Sequence, residues 1–180
     1  ITLGGCLAYG ETASDPPAAC LVLDASVHAV RKGHSRTIEA KDLFVDTYET
    51  CLTRSEVIGE ISIPKVGENS VFGHLKFTPR SKADKPTLGI AVRLDLSPDG
   101  RMCLEARVAF SNAAPTPMRS MGAEEALREK ALDAGVIDAA AEAAAAEVDP
   151  PDDVYCSGTY KREMVKVLLP RLLKQITPED

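Results

Sequence analysis

The sequence has no tryptophan, and its aromatic content is only 4%. That disfavours aromatic cages for cations and stacking platforms for nucleic-acid bases. The five cysteines, Cys6, Cys20, Cys51, Cys103 and Cys156, are scattered and include no C-x-x-C pair. Zinc or iron–sulfur ligation within the chain therefore lacks its spacing, and reduced thiols of a cytoplasmic protein are the expectation. The three histidines, His28, His34 and His74, form neither H-x-x-x-H nor H-E-x-x-H, so no metal site is expected. There is no P-loop, no G-x-G-x-x-G, no G-x-S-x-G elbow and no nucleophile with a recognisable base. No catalytic residue is assigned. No apolar run reaches membrane-span length, and no signal peptide is visible. The net charge of -6 argues against a general nucleic-acid binder.

What is present is an ordinary globular balance in 180 residues, 44% hydrophobic and 27% charged. Residues 1–65 form a first block. Within it "SVHAV" (26–30) and "SRTIEA" (35–40) flank a hairpin turn at Gly33, and "EVIGEISIP" (56–64) reads as a strand. Strict alternation puts Val57, Gly59, Ile61 and Ile63 on one face of that strand. "AKDLFVDTYET" (40–50) reads as a helical turn and a loop. "KVGENS" (65–70) marks the boundary to a second block, residues 66–180.

There, residues 71–111 read as a three-stranded antiparallel meander. Leu75 and Phe77 are expected on one face of its first strand, His74 and Lys76 on the other. Ile90, Val92, Leu94 and Leu96 point inward from the second, and Leu104, Ala106, Val108 and Phe110 from the third. "SPDG" (97–100) supplies a type I turn between the last two strands. Three helices follow: one in "GAEEALREKAL" (122–132), one in "VIDAAAEAAAAEV" (136–148) beyond Gly135, and one carrying Tyr160, Met164, Leu168 and Leu172. Pro170 should kink or shorten the last. The fold class is α+β: the tail of one α+β domain, then a three-stranded antiparallel sheet packed against a three-helix layer.

Three features carry candidate chemistry. Gly4-Gly5 beside Thr2 could let the backbone approach a pyrophosphate, although a lone glycine pair is more often a plain turn. Asp15 before Pro16-Pro17 could accept hydrogen bonds from sugar hydroxyls or simply close a turn. Lys76 could stabilise negative charge on a ligand or be solvated.

Taken in order, "TLGGCLAYGETASDPPAACLVLDASV", "LFVDTYETCLTRSEVIGEISIP", "LKFTPRSKAD", "ARVAFSNAAPTPMR", "DPPDD" and "YKREMVKVL" resemble the FAD-binding (medium) subunit of molybdenum hydroxylases. This is the family of xanthine dehydrogenase, aldehyde oxidase and aerobic carbon monoxide dehydrogenase. The resemblance covers essentially the whole chain. It implies that Thr2, Gly4 and Gly5, with Cys6 and Tyr9 beside them, match a loop holding the FAD pyrophosphate. Asp15 matches an acidic FAD contact, Ile58 or Gly59 would pack near the flavin ring, and Lys76 would lie near its pyrimidine end. Cys6 departs from the family's usual asparagine, and Glu11 would repel a pyrophosphate unless it points away.

The resemblance further implies a hetero-oligomeric enzyme with a molybdopterin-containing large subunit and a [2Fe–2S] small subunit. Electrons would pass through FAD to an acceptor. The chain begins at Ile1 and lacks the family's first glycine-rich FAD loop, so it reads as the C-terminal part of the subunit, with weak or absent FAD binding on its own. Two other readings stay open: an FAD-dependent oxidase of another family, and a non-catalytic docking domain. The oxidised substrate and the electron acceptor are not legible.

Overall fold

The computed structural model describes residues 2–81 and 83–177. The chain opens with helix α1 (Leu3–Tyr9), ended by Gly10 in the left-handed conformation, and helix α2 (Asp15–Val22). Strands β1 (Ser26–Arg31) and β2 (His34–Glu39) pair as the expected hairpin, with Gly33 at φ 72° in its turn. A 3-10 turn (Ala40–Asp42) leads to a small hairpin of β3 (Phe44–Asp46) and β4 (Glu49–Thr50), where a loop was expected. Strand β5 (Val57–Ser62) completes a first sheet in the order β2-β1-β5.

The face expected for β5 is wrong in part. Its pairing with β1 slips between His28 and Ala29, and Gly59 is the extra residue. A bulge of one residue exchanges the faces beyond it. Ile58 and Ile61 therefore pack on the core, while Val57 is 63% exposed.

An ion pair staples this sheet to the chain that precedes β5. Arg36 Nε and Nη2 donate to the two oxygens of Glu56 at 2.8 and 3.0 Å, and the Thr53 amide donates to the same carboxylate at 2.8 Å. These bonds hold the Glu56 carboxyl at about 2, below its ordinary 4.5. A carboxyl depressed in the folded state contributes stability above its unfolded value and loses it as pH falls through the folded one. Acid should therefore loosen this sheet between pH 4.5 and about 2. Glu56→Gln should remove that part of the pH dependence of the urea midpoint. An unchanged acid slope in the variant would contradict the assignment.

The second sheet is built on β6 (Ser70–Phe77), β7 (Leu88–Leu96) and β8 (Met102–Ser111), the expected meander. Two short strands extend it: β9 (Met118–Arg119) and β10 (Lys130–Ala131) both pair with β8. Two residues each leave no periodicity to read, so the three-stranded sheet becomes five-stranded. The "SPDG" turn closes with the Gly100 amide on Ser97 O at 2.8 Å. A bulge at Asp95/Leu96 pairs Leu96 with Cys103. Cys103 thus enters the core and Leu104, expected inward, is 46% exposed. Burial raises the Cys103 thiol to about 11, so it is an inert core group.

Helices α3 (Met121–Leu127), α4 (Ala134–Glu147) and α5 (Gly158–Ile176) cover one face. Ser120, Asp133 and Ser157 cap them through their side chains. Gly135 lies inside the first turn of α4 instead of before it, because Asp133 starts the helix. Pro170 does not end α5, which continues to Ile176. The inward residues of β7 and β8 meet Ile137, Ala140, Ala144, Leu169 and Leu173 in one core.

The opposite face of this sheet is also covered, by α2. Ala91 and Ala109 present no bulk there and join a second core with Ala18, Leu21, Val22 and Val27. Helix α2 is apolar on most sides because it lies between two sheets. Beyond its last turn, Asp24, in the left-handed region at φ 48°, meets three guanidiniums. Arg93 reaches it from β7 at 3.2 Å, Arg107 from β8 at 3.3 Å and Arg119 from β9 at 3.3 Å. Arg93 also donates to Val22 O at the carbonyl end of α2, where a cation is favoured.

Candidate functional site

A cavity of 690 Å³ opens where α1, the α1–α2 connection, β6 and the loop after β6 meet. This lies within the roughly 300–1,000 Å³ typical of ligand sites. Its wall includes Thr2, Gly5, Cys6, Tyr9, Asp15 and Lys76, six of the eight residues singled out in the sequence. The other two, Gly4 and Ile58, lie against each other: a Cβ on Gly4 would meet Ile58 Cβ at 3.5 Å. They pack α1 on β5 behind the cavity.

The glycine pair is not a left-handed turn. Among the described residues the left-handed glycines are Gly10, Gly33 and Gly100, and Gly4 and Gly5 belong to the first turns of α1. Thr2 explains this. Its hydroxyl accepts the Gly5 amide at 3.1 Å and its carbonyl accepts the Cys6 amide at 2.9 Å, a helix N-cap. A Cβ on Gly5 would stand 3.0 Å from the Thr2 hydroxyl, so the absent side chain keeps the cap tight.

Asp15 begins α2, and Pro16 and Pro17 follow it. Two missing amides leave that helix start poor in donors, so polar recognition here falls to side chains. Lys76 Nζ stands 3.1 Å from Asp15 Oδ2, and His74 Nε2 stands 3.8 Å from Oδ1. Strand alternation places His74 and Lys76 on the same face, as expected, with Leu75 and Phe77 on the helix side. Asp15 Oδ1 has no hydrogen-bond partner among the described residues. An unmet acceptor beside a fixed ammonium suits a ligand carrying hydroxyl donors and negative charge.

Glu11 is buried, 8% exposed, and faces the cavity. Its charge is matched by a cation. Lys85 Nζ lies 2.5 Å from its Oε1, and the Tyr48 hydroxyl donates to the same oxygen at 3.1 Å. Cys6 Sγ sits 3.5 Å from the Ser14 hydroxyl, so a thiol takes a weak hydrogen-bonding role there. The cavity wall thus sets two cations, Lys76 and Lys85, among three carboxylates, Glu11, Asp15 and Asp84. Lys85 was not legible as a site residue. It lies 74 positions from Glu11, and no local pattern links them.

Among the described residues, no cluster of His, Cys, Asp and Glu is arranged to hold a metal ion, and no helix is long and apolar enough to cross a membrane. The donor set fits part of a dinucleotide cofactor: acceptors for hydroxyls, a lysine for anionic charge, and apolar walls from Ala13, Pro16 and Pro86.

The pattern of the FAD binding domain in molybdopterin dehydrogenase matches residues 1–66, and that of the CO dehydrogenase flavoprotein C-terminal domain matches residues 73–176. The carbon monoxide dehydrogenase medium chain of Hydrogenophaga pseudoflava is 33% identical over 174 residues, 96% of this chain and 59% of that protein. The nicotine 6-hydroxylase medium subunit of Paenarthrobacter nicotinovorans is 33% identical over 172 residues, again 96% of this chain and 59% of its own. The solved carbon monoxide dehydrogenase from Hydrogenophaga pseudoflava superposes with a TM-score of 0.91 at 33% identity, covering 97% of this chain and 60% of that one. The chain thus spans about three-fifths of the length of these relatives, which are subunits of dehydrogenases and hydroxylases. With two consecutive family patterns, a close superposition on a solved relative and a cavity where the first pattern meets the second, the chain belongs to the FAD-binding medium subunits of molybdenum hydroxylases, of the carbon monoxide dehydrogenase and xanthine dehydrogenase type.

Proposed function

We propose that the 690 Å³ cavity is this chain's share of an FAD site in an electron-transfer flavoprotein subunit. The substrate would be oxidised on a molybdopterin-containing large subunit, and electrons would arrive from [2Fe–2S] clusters of a small subunit in a hetero-oligomer. Residues 1–65 act as the tail of the FAD-binding domain and residues 66–180 as the C-terminal domain. The five unpaired thiols suit a reducing compartment such as the cytoplasm.

The observation that carries the reading is the Asp15–Lys76 pair at 3.1 Å on the cavity wall, where α2 from the first family pattern meets β6 from the second. When bound, FAD supplies the two-electron chemistry. Asp15 offers carboxylate acceptors to hydroxyls and holds the Lys76 ammonium in place. Lys76, half-buried, faces the ligand with a positive charge whose effect is enlarged away from bulk water. Pro16, Ala13 and Pro86 exclude water from one side.

The test uses the complete flavoprotein subunit. A hydrogen bond to a charged group contributes about 1.5–3 kcal/mol, so Lys76→Met and Asp15→Asn should each weaken FAD retention roughly 10–100-fold. Flavin absorbance after dialysis reads this directly. A subunit that purifies without flavin, or whose two variants both retain flavin as firmly as wild type, would refute the proposal.

A further inference from the structure

Residues 78–87 connect β6 to β7 and supply Ala83, Asp84, Lys85 and Pro86 to the cavity wall. The base of this loop is firmly held. The Thr87 amide donates to Phe77 O at 2.9 Å, and Asn112 Nδ2 donates to the carbonyls of Pro86 and Thr87 at 3.2 and 3.0 Å. Its tip is tied to the rest of the molecule by side chains. Arg80 reaches outward to the Tyr155 hydroxyl at 3.0 Å, and Lys85 reaches across the cavity rim to Glu11 at 2.5 Å.

Glu11 is itself held. The Tyr48 hydroxyl donates to it, and the Tyr48 ring meets Tyr9, a cavity residue, edge to face at 5.1 Å. Tyr48 has φ 58°, a left-handed conformation that a bulky side chain takes only when its surroundings impose it. They do so here: the Tyr48 amide donates to Gly10 O at 2.9 Å, and Gly10 must itself be left-handed, with its missing Cβ 3.0 Å from the Glu49 amide. A strained tyrosine is thus fixed where its hydroxyl reaches a buried carboxylate. Backbone strain of this kind gathers at functional sites.

We propose that Lys85 and Glu11 form a latch that holds residues 83–85 as the movable wall of the cavity, with Tyr48 as the positioning residue that keeps Glu11 facing Lys85. Closing the latch retains the ligand, and opening it releases the wall without disturbing the loop base at Asn112. The hydrogen bond that each makes to Glu11 raises the pKa of Lys85 and of Tyr48 above its ordinary value. The latch rests on the cavity being the FAD site only for the identity of what is retained.

Hydrogen exchange of the complete flavoprotein subunit tests it. Lys85→Met should speed exchange of the Ala83–Lys85 amides roughly fivefold or more, with β7 unchanged. Lys85→Arg should restore protection, and Tyr48→Phe should fall between. Lys85 is exposed at the rim, so Lys85→Met leaves the core intact. High salt should speed exchange of the same amides in the wild type and not in Lys85→Met. Exchange equal in wild type and Lys85→Met would overturn the latch, whatever the flavin content. FAD release several-fold faster in Lys85→Met would support retention by the wall. A loosened wall with unchanged release would overturn that role, and a subunit devoid of flavin would refute the functional proposal while leaving the exchange result to decide the latch.

Discussion

Glu124→Ala is expected to cost roughly 3–5 kcal/mol of stability, the range for removing one partner of a buried ion pair. Glu124 is 0% exposed in α3, under β8. Its Oε1 accepts the Val108 amide at 3.1 Å and Arg119 Nε at 2.8 Å, and its Oε2 accepts Arg119 Nη2 at 2.5 Å. Alanine would leave a strand amide without an acceptor and a largely buried guanidinium with only Asp24. Since a domain holds about 5–15 kcal/mol in all, the urea midpoint should fall steeply. Glu124→Gln keeps the shape and one acceptor and should cost less. In a double-mutant cycle, Arg119→Met with Glu124→Leu should be milder than Glu124→Ala alone, because no buried charge is left unpaired. Additive losses would show that the pair contributes nothing as a unit.

Gly158→Ala should be nearly as damaging, although it adds one methyl group. A Cβ at this position would lie 2.1 Å from the carbonyl oxygen of Pro150. That neighbour is backbone, so the 149–157 segment itself must move. The Gly158 amide donates to Asp152 Oδ1 at 2.7 Å. One turn further, the fully buried Lys161 ammonium donates to Pro151 O at 2.8 Å and pairs with Asp153 at 2.7 Å. Displacing the segment therefore uncovers an ammonium built into the start of α5. Overpacking costs about 1–3 kcal/mol, and the disturbed ion pair places this substitution at or above the top of that range. Denaturant midpoint and protease cleavage within residues 149–157 read the two consequences separately. A variant as stable and as resistant as wild type would mean that the segment yields freely.

Much of the fold was legible because its strands are long and regular. Alternation through β6 and β7 identified the buried faces, and "SPDG" identified their neighbour's turn. The errors fall where one residue breaks the count. Bulges at Gly59 and beside Leu96 exchanged the faces of Val57 and Leu104; a glycine inside a strand is a weak sign of the first, and no residue type marks the second. Two-residue strands such as β9 and β10 are too short for any period. Of the candidate site, Thr2, Gly5, Cys6, Tyr9, Asp15 and Lys76 do converge. That the glycine pair lies in a helix capped by Thr2, and not in a turn, was not legible in the sequence. Glu11 was read through its charge alone, whereas its role depends on a lysine supplied by tertiary structure.

The three arginines gathered on Asp24 bear on how such a chain can change over generations. Asp24 is encoded in the first family pattern, while Arg93, Arg107 and Arg119 are encoded in the second. The alanines that seat α2, Ala91 and Ala109, are likewise on the far side of that division. A recombination event that joined the first part to a foreign second part would leave either Asp24 without its cations, or three guanidiniums each short of one carboxylate and holding only the partner from its own side, Asp95, Glu105 or Glu124. The two parts therefore make a poor pair of interchangeable modules. Exchange between relatives should succeed only where the donor carries the same charges and the same small residues at this seam, and drift on one side should be followed by compensating change on the other.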